Sequence, residues 1–364
     1  MTRSTPTASH LRGRDCLAAI GLMAAFAAPV AAQQTINLTA IDGYPIRAMW
    51  VKEFAEFYIP EVDKRLAAGG KYKIRWNQAW GGQIVKPRGV LEGLQRGLGD
   101  IGVVTTPFHT DKAPMQALAY VTPFVTSDPS LVARTLDGLA HTFPAVMNEF
   151  AAYNQVYLTT AVVLDSYQVF SKPPVRQLAD LKGLKINGAG TNLRYLDGLG
   201  ATGVAGPLTT YYNNIQTGVV DGAFLWPEAA VSFKLVEVAP HMLKADLGSV
   251  NTKVISANAE RWKKLPPEVR KVLQDVAIAY RDRLAKIAAT KGKSSEAAYV
   301  KAGGTITNMS DEARAAWAKG LPNLAKEWAA KMDGQGKPGS KVLSAYMDAL
   351  RAAGAKPLRD WDRE

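Results

Sequence analysis

Apolar and polar residues alternate in short blocks along the first hundred residues of the chain. A strand is predicted over 36–41, followed by a turn at 42–45 and a helix with apolar residues three and four positions apart. A second strand is predicted over 72–76, a short helix follows near Val90, and a third strand covers 101–104. This βαβαβ order predicts an α/β protein with a mostly parallel sheet and helices on both faces.

The middle of the chain repeats this alternation. Strands are predicted over 157–163, 167–171, 185–186 and 219–225. One helix is predicted over 191–199, and another over 209–216, where Thr209 or Thr210 would cap the first turn and Gly218 would stop the last. The pattern therefore predicts a second α/β unit.

A long helix is predicted from Pro266 and Pro267 onward. Its apolar positions recur at three- and four-residue steps, at Val269, Val272, Val276, Tyr280, Leu284 and Ile287. A helix of ~30 residues at ~1.5 Å per residue spans ~45 Å, which is long enough to cross two lobes. Gly303 and Gly304 would end it, a strand is predicted over 305–308, and Ser310 would cap a further helix.

The first 32 residues have the composition of a secretory leader. Arg3, Arg12 and Arg14 precede an apolar run over 16–32 that ends in small residues, so we predict a cleaved signal peptide over 1–32. A membrane anchor is the alternative, but the run is short for a span. Cys16 precedes the apolar core, whereas a lipid-bearing cysteine would follow it, so no stable membrane anchor is expected.

Removal of this leader changes the composition of the chain. The single cysteine leaves with it, so no disulfide or thiol chemistry is expected in the mature protein. The formal charge of +12 loses three arginines and one aspartate and becomes +10. The basic residues are dispersed, which argues against nucleic acid and favours a diffuse field that attracts small anions. A solvated basic surface without a specific role is the alternative.

Motifs for catalysis or metal binding are missing from the sequence. It contains no GxSxG, HExxH or P-loop pattern. His109, His141 and His241 share no spacing typical of metal ligands. We therefore predict no catalytic residues, no metal ligands and no cofactor from the sequence motifs.

Candidate ligand-binding residues lie in the loops that follow the predicted strands, because ligands of open parallel sheets bind beyond the carboxyl ends of the strands. The aromatic candidates in these loops are Tyr44, Trp80, Tyr167 and Trp226. The polar candidates are Thr105, Ser166, Asn187, Asn192 and Glu228. We predict an aromatic-walled polar pocket, although these aromatic residues would equally well close the ends of the core.

Several short motifs carry a family resemblance. They lie at 97–102 (GLGDIG), 178–186 (LADLKGLKI), 199–201 (LGA), 216–222 (QTGVVDG) and 265–268 (LPPE), before the long helix. Their order and spacing resemble the solute-binding proteins of tripartite ATP-independent periplasmic (TRAP) transporters, the dicarboxylate-binding DctP family. The similarity covers essentially the whole mature chain.

The resemblance implies a two-lobed periplasmic binding protein, type II-like, with a long helix spanning both lobes. Lobe I would contain 33–163 with about 251–285, and lobe II would contain 164–250 with about 286–364 and its C-terminal helices. The lobes would close by a hinge over a small solute and deliver it to the membrane permease subunits, without any reaction.

The sequence departs from the family at the position where an arginine usually pairs with the ligand carboxylate. Asn187 stands there, and Ser166 stands at the position of a second arginine of some members. One hypothesis keeps an organic acid, with charge from Lys86, Arg47 or Arg194 and with backbone amides of a helix beginning near Thr209.

The other hypothesis is a weakly charged, aromatic ligand held by aromatic faces, with Tyr211 added to the aromatic candidates. Another uptake system and, less favoured, a secreted enzyme are the remaining alternatives. We favour an organic acid with an apolar or aromatic body. The predicted ligand-binding residues are Tyr44, Trp80, Lys86, Thr105, Ser166, Tyr167, Asn187, Asn192, Thr209, Tyr211, Trp226 and Glu228.

Overall fold

The computed structural model describes residues 33–364. The predicted signal peptide over 1–32 lies outside the described residues. Along the described chain, none of the helices is both long and apolar enough to cross a membrane.

Eleven strands in this part of the chain form two sheets. They are β1 (Gln34–Ile41), β2 (Tyr72–Ala79), β3 (Ile101–Thr105), β4 (Gln155–Val163), β5 (Gln168–Ser171), β6 (Lys185–Gly188), β7 (Thr202–Ala205), β8 (Gly222–Leu225), β9 (His241–Lys244), β10 (Thr252–Asn258) and β11 (Thr305–Asn308). The first sheet has the order β2–β1–β3–β10–β4, and the second has the order β11–β9–β5–β8–β6–β7. We call the units around them the first and the second lobe.

Parallel and antiparallel pairs are mixed in both sheets. In the first lobe β1 is parallel to β2 and β3, as the βαβαβ pattern predicts, whereas β10 is antiparallel to β3 and β4. In the second lobe β6 is parallel to β7 and β8, whereas β5 is antiparallel to β8 and β9. The predicted α/β class with two lobes is confirmed.

Helices pack on both sheets. They are α1 (Met49–Glu53), α2 (Ile59–Gly69), α3 (Val90–Gln95), α4 (Pro129–Thr142), α5 (Pro144–Ala151), α6 (Leu208–Gln216), α7 (Pro227–Ser232), α8 (Ala259–Lys264), α9 (Pro267–Lys301), α10 (Asp311–Gly320), α11 (Leu324–Gly334) and α12 (Gly339–Ala352). A wider helical turn over Phe54–Tyr58 joins α1 to α2. Near the C-terminus, α12 contacts α4 of the first lobe.

Helix α9 is the predicted long helix, and it has 35 residues. It contacts β4 in the first lobe and β11 in the second. Within the helix the Tyr280 hydroxyl donates to the Trp50 carbonyl of the first lobe, and near its C-terminal end the Tyr299 hydroxyl donates to the Ala239 carbonyl of the second. The helix therefore packs against both lobes, as predicted.

Two chain segments cross between the lobes side by side, over 164–167 and 245–251. The Tyr167 N–H donates to the Gly248 carbonyl over 3.1 Å, and the Leu247 N–H donates to the Tyr167 carbonyl over 3.0 Å. The Gly248 N–H donates to Ser166 Oγ over 3.0 Å. These bonds tie the two crossing segments into one short connection.

Three local predictions need correction. Helix α6 begins at Leu208 after Pro207 without a side-chain cap, and Thr210 Oγ1 donates to the Pro207 carbonyl over 2.9 Å instead. Strand β8 begins at Gly222 rather than at 219, because the preceding Val219 is 53% exposed in a turn.

The third correction concerns the helix predicted over 191–199. It is a tighter 3₁₀ turn over Gly190–Leu196, in which the Asn192 side chain accepts from the Ala189 N–H over 2.8 Å. By contrast, the predicted cap by Ser310 is confirmed, since its side chain accepts from the Ala313 N–H over 3.2 Å.

Candidate functional site

A small enclosed cavity lies between the two lobes at the carboxyl ends of β3, β6 and β8. Its volume is about 10 Å³, roughly the space that one water molecule needs. Its lining residues come from both lobes and are Tyr44, Trp50, Thr105, Phe108, Tyr167, Ala189, Leu208, Tyr211, Phe224, Leu225, Trp226, Asn251 and Lys253. The space is narrow, so a solute as large as an aromatic acid enters only with movement of the lobes or of side chains.

Aromatic rings form most of the cavity wall. The Tyr44 and Trp50 ring centroids are 4.8 Å apart, and those of Trp50 and Trp226 are 6.3 Å apart across the two lobes. The Tyr167 and Trp226 rings meet edge to face with centroids 5.6 Å apart. Such rings offer a large, rigid apolar surface with polar edges, which suits a flat apolar solute.

Lys253 on β10 brings a cation to this aromatic wall. The residue is only 1% exposed, and its Nζ lies 4.3 Å from the centroid of the Trp50 ring. The ammonium donates to Asn251 Oδ1, but it forms no ion pair within 4.0 Å among the residues the structure describes. Burial lowers the pKa of Lys253 to about 7, although the charge of Asp42 acts in the opposite direction.

A buried carboxyl lies at the same wall. Asp42 is 2% exposed and accepts from the Tyr44 N–H over 2.8 Å and from Trp50 Nε1 over 3.0 Å. Burial raises the pKa of Asp42 to about 7, against these hydrogen bonds and the charge of Lys253. The Trp50 ring is thus fixed through its N–H by Asp42 and carries Lys253 at its face.

A short chain of hydrogen bonds extends from the lysine along the wall. Asn251 Nδ2 donates to the Tyr167 hydroxyl over 2.6 Å. The Tyr167 and Tyr120 hydroxyl oxygens are 3.3 Å apart. These bonds fix the side chain of Asn251 and thereby the position of the Lys253 ammonium.

The structure brings some of the predicted site residues together in this cavity. Tyr44, Thr105, Tyr167, Tyr211 and Trp226 all line it. Thr105 ends β3, Tyr44 and Trp226 follow β1 and β8, Tyr167 lies between β4 and β5, and Tyr211 lies on α6, so most of them lie at strand ends as the sheet-edge rule expects.

Asn187, a predicted ligand-binding residue, is buried behind the cavity. Its Nδ2 donates to the Val204 carbonyl over 2.9 Å, and its Oδ1 accepts from Asn214 Nδ2 over 3.0 Å. Asn187 therefore holds neighbouring chain segments together and is not among the cavity-lining residues.

Three further predicted residues also bond to the protein near the cavity. Ser166 Oγ accepts from the Gly248 N–H of the second crossing segment, and Asn192 Oδ1 accepts from the Ala189 N–H. Glu228 accepts from Trp226 Nε1 over 3.1 Å. Their polar groups therefore support the wall from behind.

Trp80, Lys86 and Thr209 lie outside the cavity. Trp80 packs edge to face against Phe54 with centroids 5.9 Å apart. Lys86 is exposed, and Thr209 lines a separate surface depression that Arg47 shares.

Sequence reasoning missed Lys253, Trp50, Asn251 and Asp42 as site residues. Lys253 belongs to β10, a strand that was not predicted at all. A signal was present, because the segment Thr252–Asn258 places one lysine in a run of small and β-branched residues, and all of its residues are buried.

The described residues, 33–364, contain no group of three histidine, cysteine, aspartate or glutamate side chains arranged to hold a metal ion. The polar groups of the cavity are one ammonium, amides and hydroxyls. This set suits recognition of a small solute by charge and hydrogen bonds.

Comparison with known proteins finds a matching family model and similar proteins. The model of the family "DctP: Bacterial extracellular solute-binding protein, family 7" matches residues 54–332. A solute-binding protein of Albidiferax ferrireducens is 24% identical over 342 residues, which cover 90% of this chain and 97% of that protein.

Solved structures agree with this match. A TRAP periplasmic solute-binding protein from Desulfovibrio salexigens is 26% identical, with a TM-score of 0.72 over 88% of this chain and 97% of that chain. A TRAP solute-binding protein from Rhodoferax ferrireducens, in complex with copurified benzoate, is 19% identical, with a TM-score of 0.78 over 87% of this chain and 98% of that chain.

Proposed function

The chain belongs to the DctP family of bacterial extracellular solute-binding proteins, and from that premise we propose that it captures a small organic acid with an aromatic or apolar body and delivers it to a TRAP membrane permease. Members of this family are receptors rather than enzymes. Capture is therefore a cycle of binding and lobe closure without any chemical change in the solute.

The observation that carries the proposal is the aromatic-walled cavity between the lobes. Its rings come from both lobes, so a flat solute held there contacts both and favours the closed form. The benzoate complex of the Rhodoferax ferrireducens protein, which shares the fold, is consistent with a solute of this shape. The positive net charge of the chain favours encounter with anions over encounter with cations.

Closure by a hinge is part of the proposal. The paired crossing segments over 164–167 and 245–251 are short and hydrogen-bonded to each other, so small backbone rotations there would move one lobe relative to the other. We keep the division into lobe I (33–163 with about 251–285) and lobe II (164–250 with about 286–364) as the proposed bodies of this motion, except that α12, which packs on α4 of the first lobe, would move with lobe I.

Export and delivery are the remaining parts. The arginines and the apolar run of 1–32 support export to the periplasm and removal of this leader. The partners would be a small and a large permease subunit, and genes for two such subunits beside this one would support the assignment.

A thermal-shift screen of the purified protein tests the proposed solute class. Benzoate, mandelate, succinate, a sugar acid, a polyol and neutral benzamide would each be added at the same concentration. We expect the aromatic monocarboxylates to raise the melting temperature most, because a ligand that binds only the folded state stabilises it by mass action. Stabilisation by polyols or benzamide alone would contradict the organic-acid proposal, and turnover of any bound acid would contradict the receptor proposal.

A further inference from the structure

We propose that Lys253 receives the carboxylate of the solute, so that the charge anchor of this receptor lies on β10 of the first lobe and selects an aromatic monocarboxylate. The inference rests on the proposed function, because it assigns the residue that recognises the acid group. It places the anchor on a different strand and in a different lobe from Asn187.

Lys253 is placed where it would meet a solute in the cavity. It is a cavity-lining residue, it is almost completely buried, and its ammonium has an amide oxygen and an aromatic face as neighbours. Burial of the ammonium is costly because no ion pair within 4.0 Å compensates for it among the described residues, although the charge of Asp42 acts on it. An anion in the cavity would offset this cost. The site is therefore electrostatically complementary to one carboxylate.

The other cations near the lobes are paired, exposed or outside the cavity. Arg194 donates to Asp197 over 2.7 Å and to Glu327 over 2.6 Å, and Lys86 is exposed. Arg47 stacks on Phe233 at 4.7 Å, outside the cavity.

Arg88 is the strongest competitor among these cations. Its guanidinium carbon lies 5.2 Å from the centroid of Phe108, which lines the cavity. The Arg88 residue itself is exposed, however, so water screens its charge, whereas Lys253 acts in a dry site where electrostatic interactions are stronger.

The Lys253 ammonium is held in place by its neighbours before any solute binds. Asp42 holds the indole N–H of Trp50, and the indole face holds the lysine. Asn251 accepts from the ammonium while it donates to the Tyr167 hydroxyl. A carboxylate that binds there meets a cation already in place, which lowers the ordering cost of binding.

The charges around the cavity favour a solute with a single carboxylate. Lys253 is the one cationic side chain among the residues that line the cavity, while the buried acids Asp42 and Glu228 lie behind its wall and accept from indole N–H groups. A second carboxylate would face aromatic rings, with no second cation to pair with. Dicarboxylates should therefore bind more weakly than an aromatic monocarboxylate of similar size.

Calorimetric titration at pH 6.5 with benzoate, benzamide and succinate tests the inference. We expect the unmodified protein to bind benzoate at least about 100-fold more tightly than benzamide or succinate. Lys253→Met should weaken benzoate about 100-fold or more and bring it close to benzamide, because truncating one partner of a desolvated charge pair carries a penalty of this size. Lys73→Met, at an exposed lysine on β2, is the matched control and should bind benzoate unchanged.

The outcomes separate the two proposals. If Lys253→Met keeps its benzoate affinity while Arg88→Met or Lys86→Met loses it, the anchor assignment is wrong and the receptor function stands. If the unmodified protein binds no acid, or binds benzamide as tightly as benzoate, both proposals are wrong. The comparison of benzoate with benzamide on the unmodified protein tests the need for a negative charge without any variant. Loss of benzoate affinity above pH 7 tests the buried amine in the same way, so a folding defect of Lys253→Met would not leave the inference untested.

Discussion

Lys253 has opposite effects on stability and on binding at the scale of single residues. In the free protein its burial favours the neutral amine and lowers the pKa to about 7, well below the value of about 10.4 of an exposed lysine. The unfolded chain therefore binds an extra proton between about pH 7 and pH 10. By linkage, the contribution of this group to stability rises with pH across that window and is least favourable near pH 7 and below.

We therefore predict that Lys253→Met raises the melting temperature of the solute-free protein at pH 7. Replacing a buried ammonium that has no close ion pair with an apolar side chain of similar length removes the desolvation penalty of that charge. Calorimetric melting of this variant beside Lys73→Met measures the effect. A lower melting temperature would contradict this prediction, because it would show that Lys253 stabilises the cavity wall of the solute-free protein.

A second residue-scale prediction concerns pH. Benzoate affinity should be nearly constant between about pH 5.5 and 6.5 and should fall by up to about tenfold per pH unit above pH 7, because Lys253 then loses its proton. Ionisation of Asp42, whose pKa burial raises to about 7, acts in the same direction. The facing tyrosines stay neutral, because burial raises the pKa of Tyr167 to about 12 and that of Tyr211 well above its usual value.

Titrations of benzoate from pH 5.5 to pH 9 measure this dependence. Lys253→Met is the control, and its weak affinity should vary less with pH. An affinity of the unmodified protein that is constant up to pH 9 would mean that no group with a pKa near 7 meets the solute.

The residues that could be predicted from sequence are those in loops after strands. Tyr44, Tyr167 and Trp226 follow from strand order and the sheet-edge rule. Lys253 could not be predicted in this way, because its role depends on the pairing of β10 with β3 and β4, which lie about a hundred residues or more earlier in the chain. A lysine in a strand is ordinarily read as solvent-facing, and only the tertiary pairing buries this one.

At the scale of elements, the first and second lobes meet where two tight turns approach each other. Gly190 opens the 3₁₀ turn after β6 with φ +73°, and a methyl group on it would lie 2.5 Å from the Pro107 carbonyl oxygen of the turn after β3. We expect this close approach to be lost when the lobes separate.

Gly190→Ala is therefore predicted to weaken benzoate binding by about tenfold or more, because the methyl group holds the lobes apart. Gly198→Ala is the matched control, since Gly198 also has a positive φ, +83°, but has nothing within 4 Å of the added methyl group. Calorimetry of both variants separates backbone strain from obstruction of closure. Equal losses in the two variants would contradict a role for this contact in closure.

Local sequence patterns predict which helices and strands form more accurately than they predict where each one begins and ends. The three-and-four spacing identifies α9, and the alternation identifies β1 and β3, because these signals come from burial of a continuous face. The start of α6 could not be read correctly, since Thr209 and Thr210 are good capping residues while Pro207 precedes the first turn in the structure. Capping depends on the path by which the chain enters the helix, which the local sequence does not specify.

At the scale of the whole molecule, two sheets share one long helix and one pair of crossing segments. Helix α9 contacts both lobes, and α12 and Trp361 from the C-terminal part return to the first lobe, where Trp361 Nε1 donates to the Pro123 carbonyl over 2.8 Å. The two-lobed α/β architecture could be predicted from the order of motifs. The antiparallel insertion of β10 between β3 and β4 could not, because it joins segments from distant parts of the chain.

Closure of the two lobes over an organic acid would change the distance between them, which can be measured in solution. The described chain contains no cysteine, so Leu98→Cys and Val219→Cys, at exposed positions before β3 and β8, would carry one spin label on each lobe. We predict that saturating benzoate converts the distance distribution into a single narrow one, whereas benzamide at the same concentration leaves it unchanged. An unchanged distribution with benzoate, or an equal response to benzamide, would contradict the account.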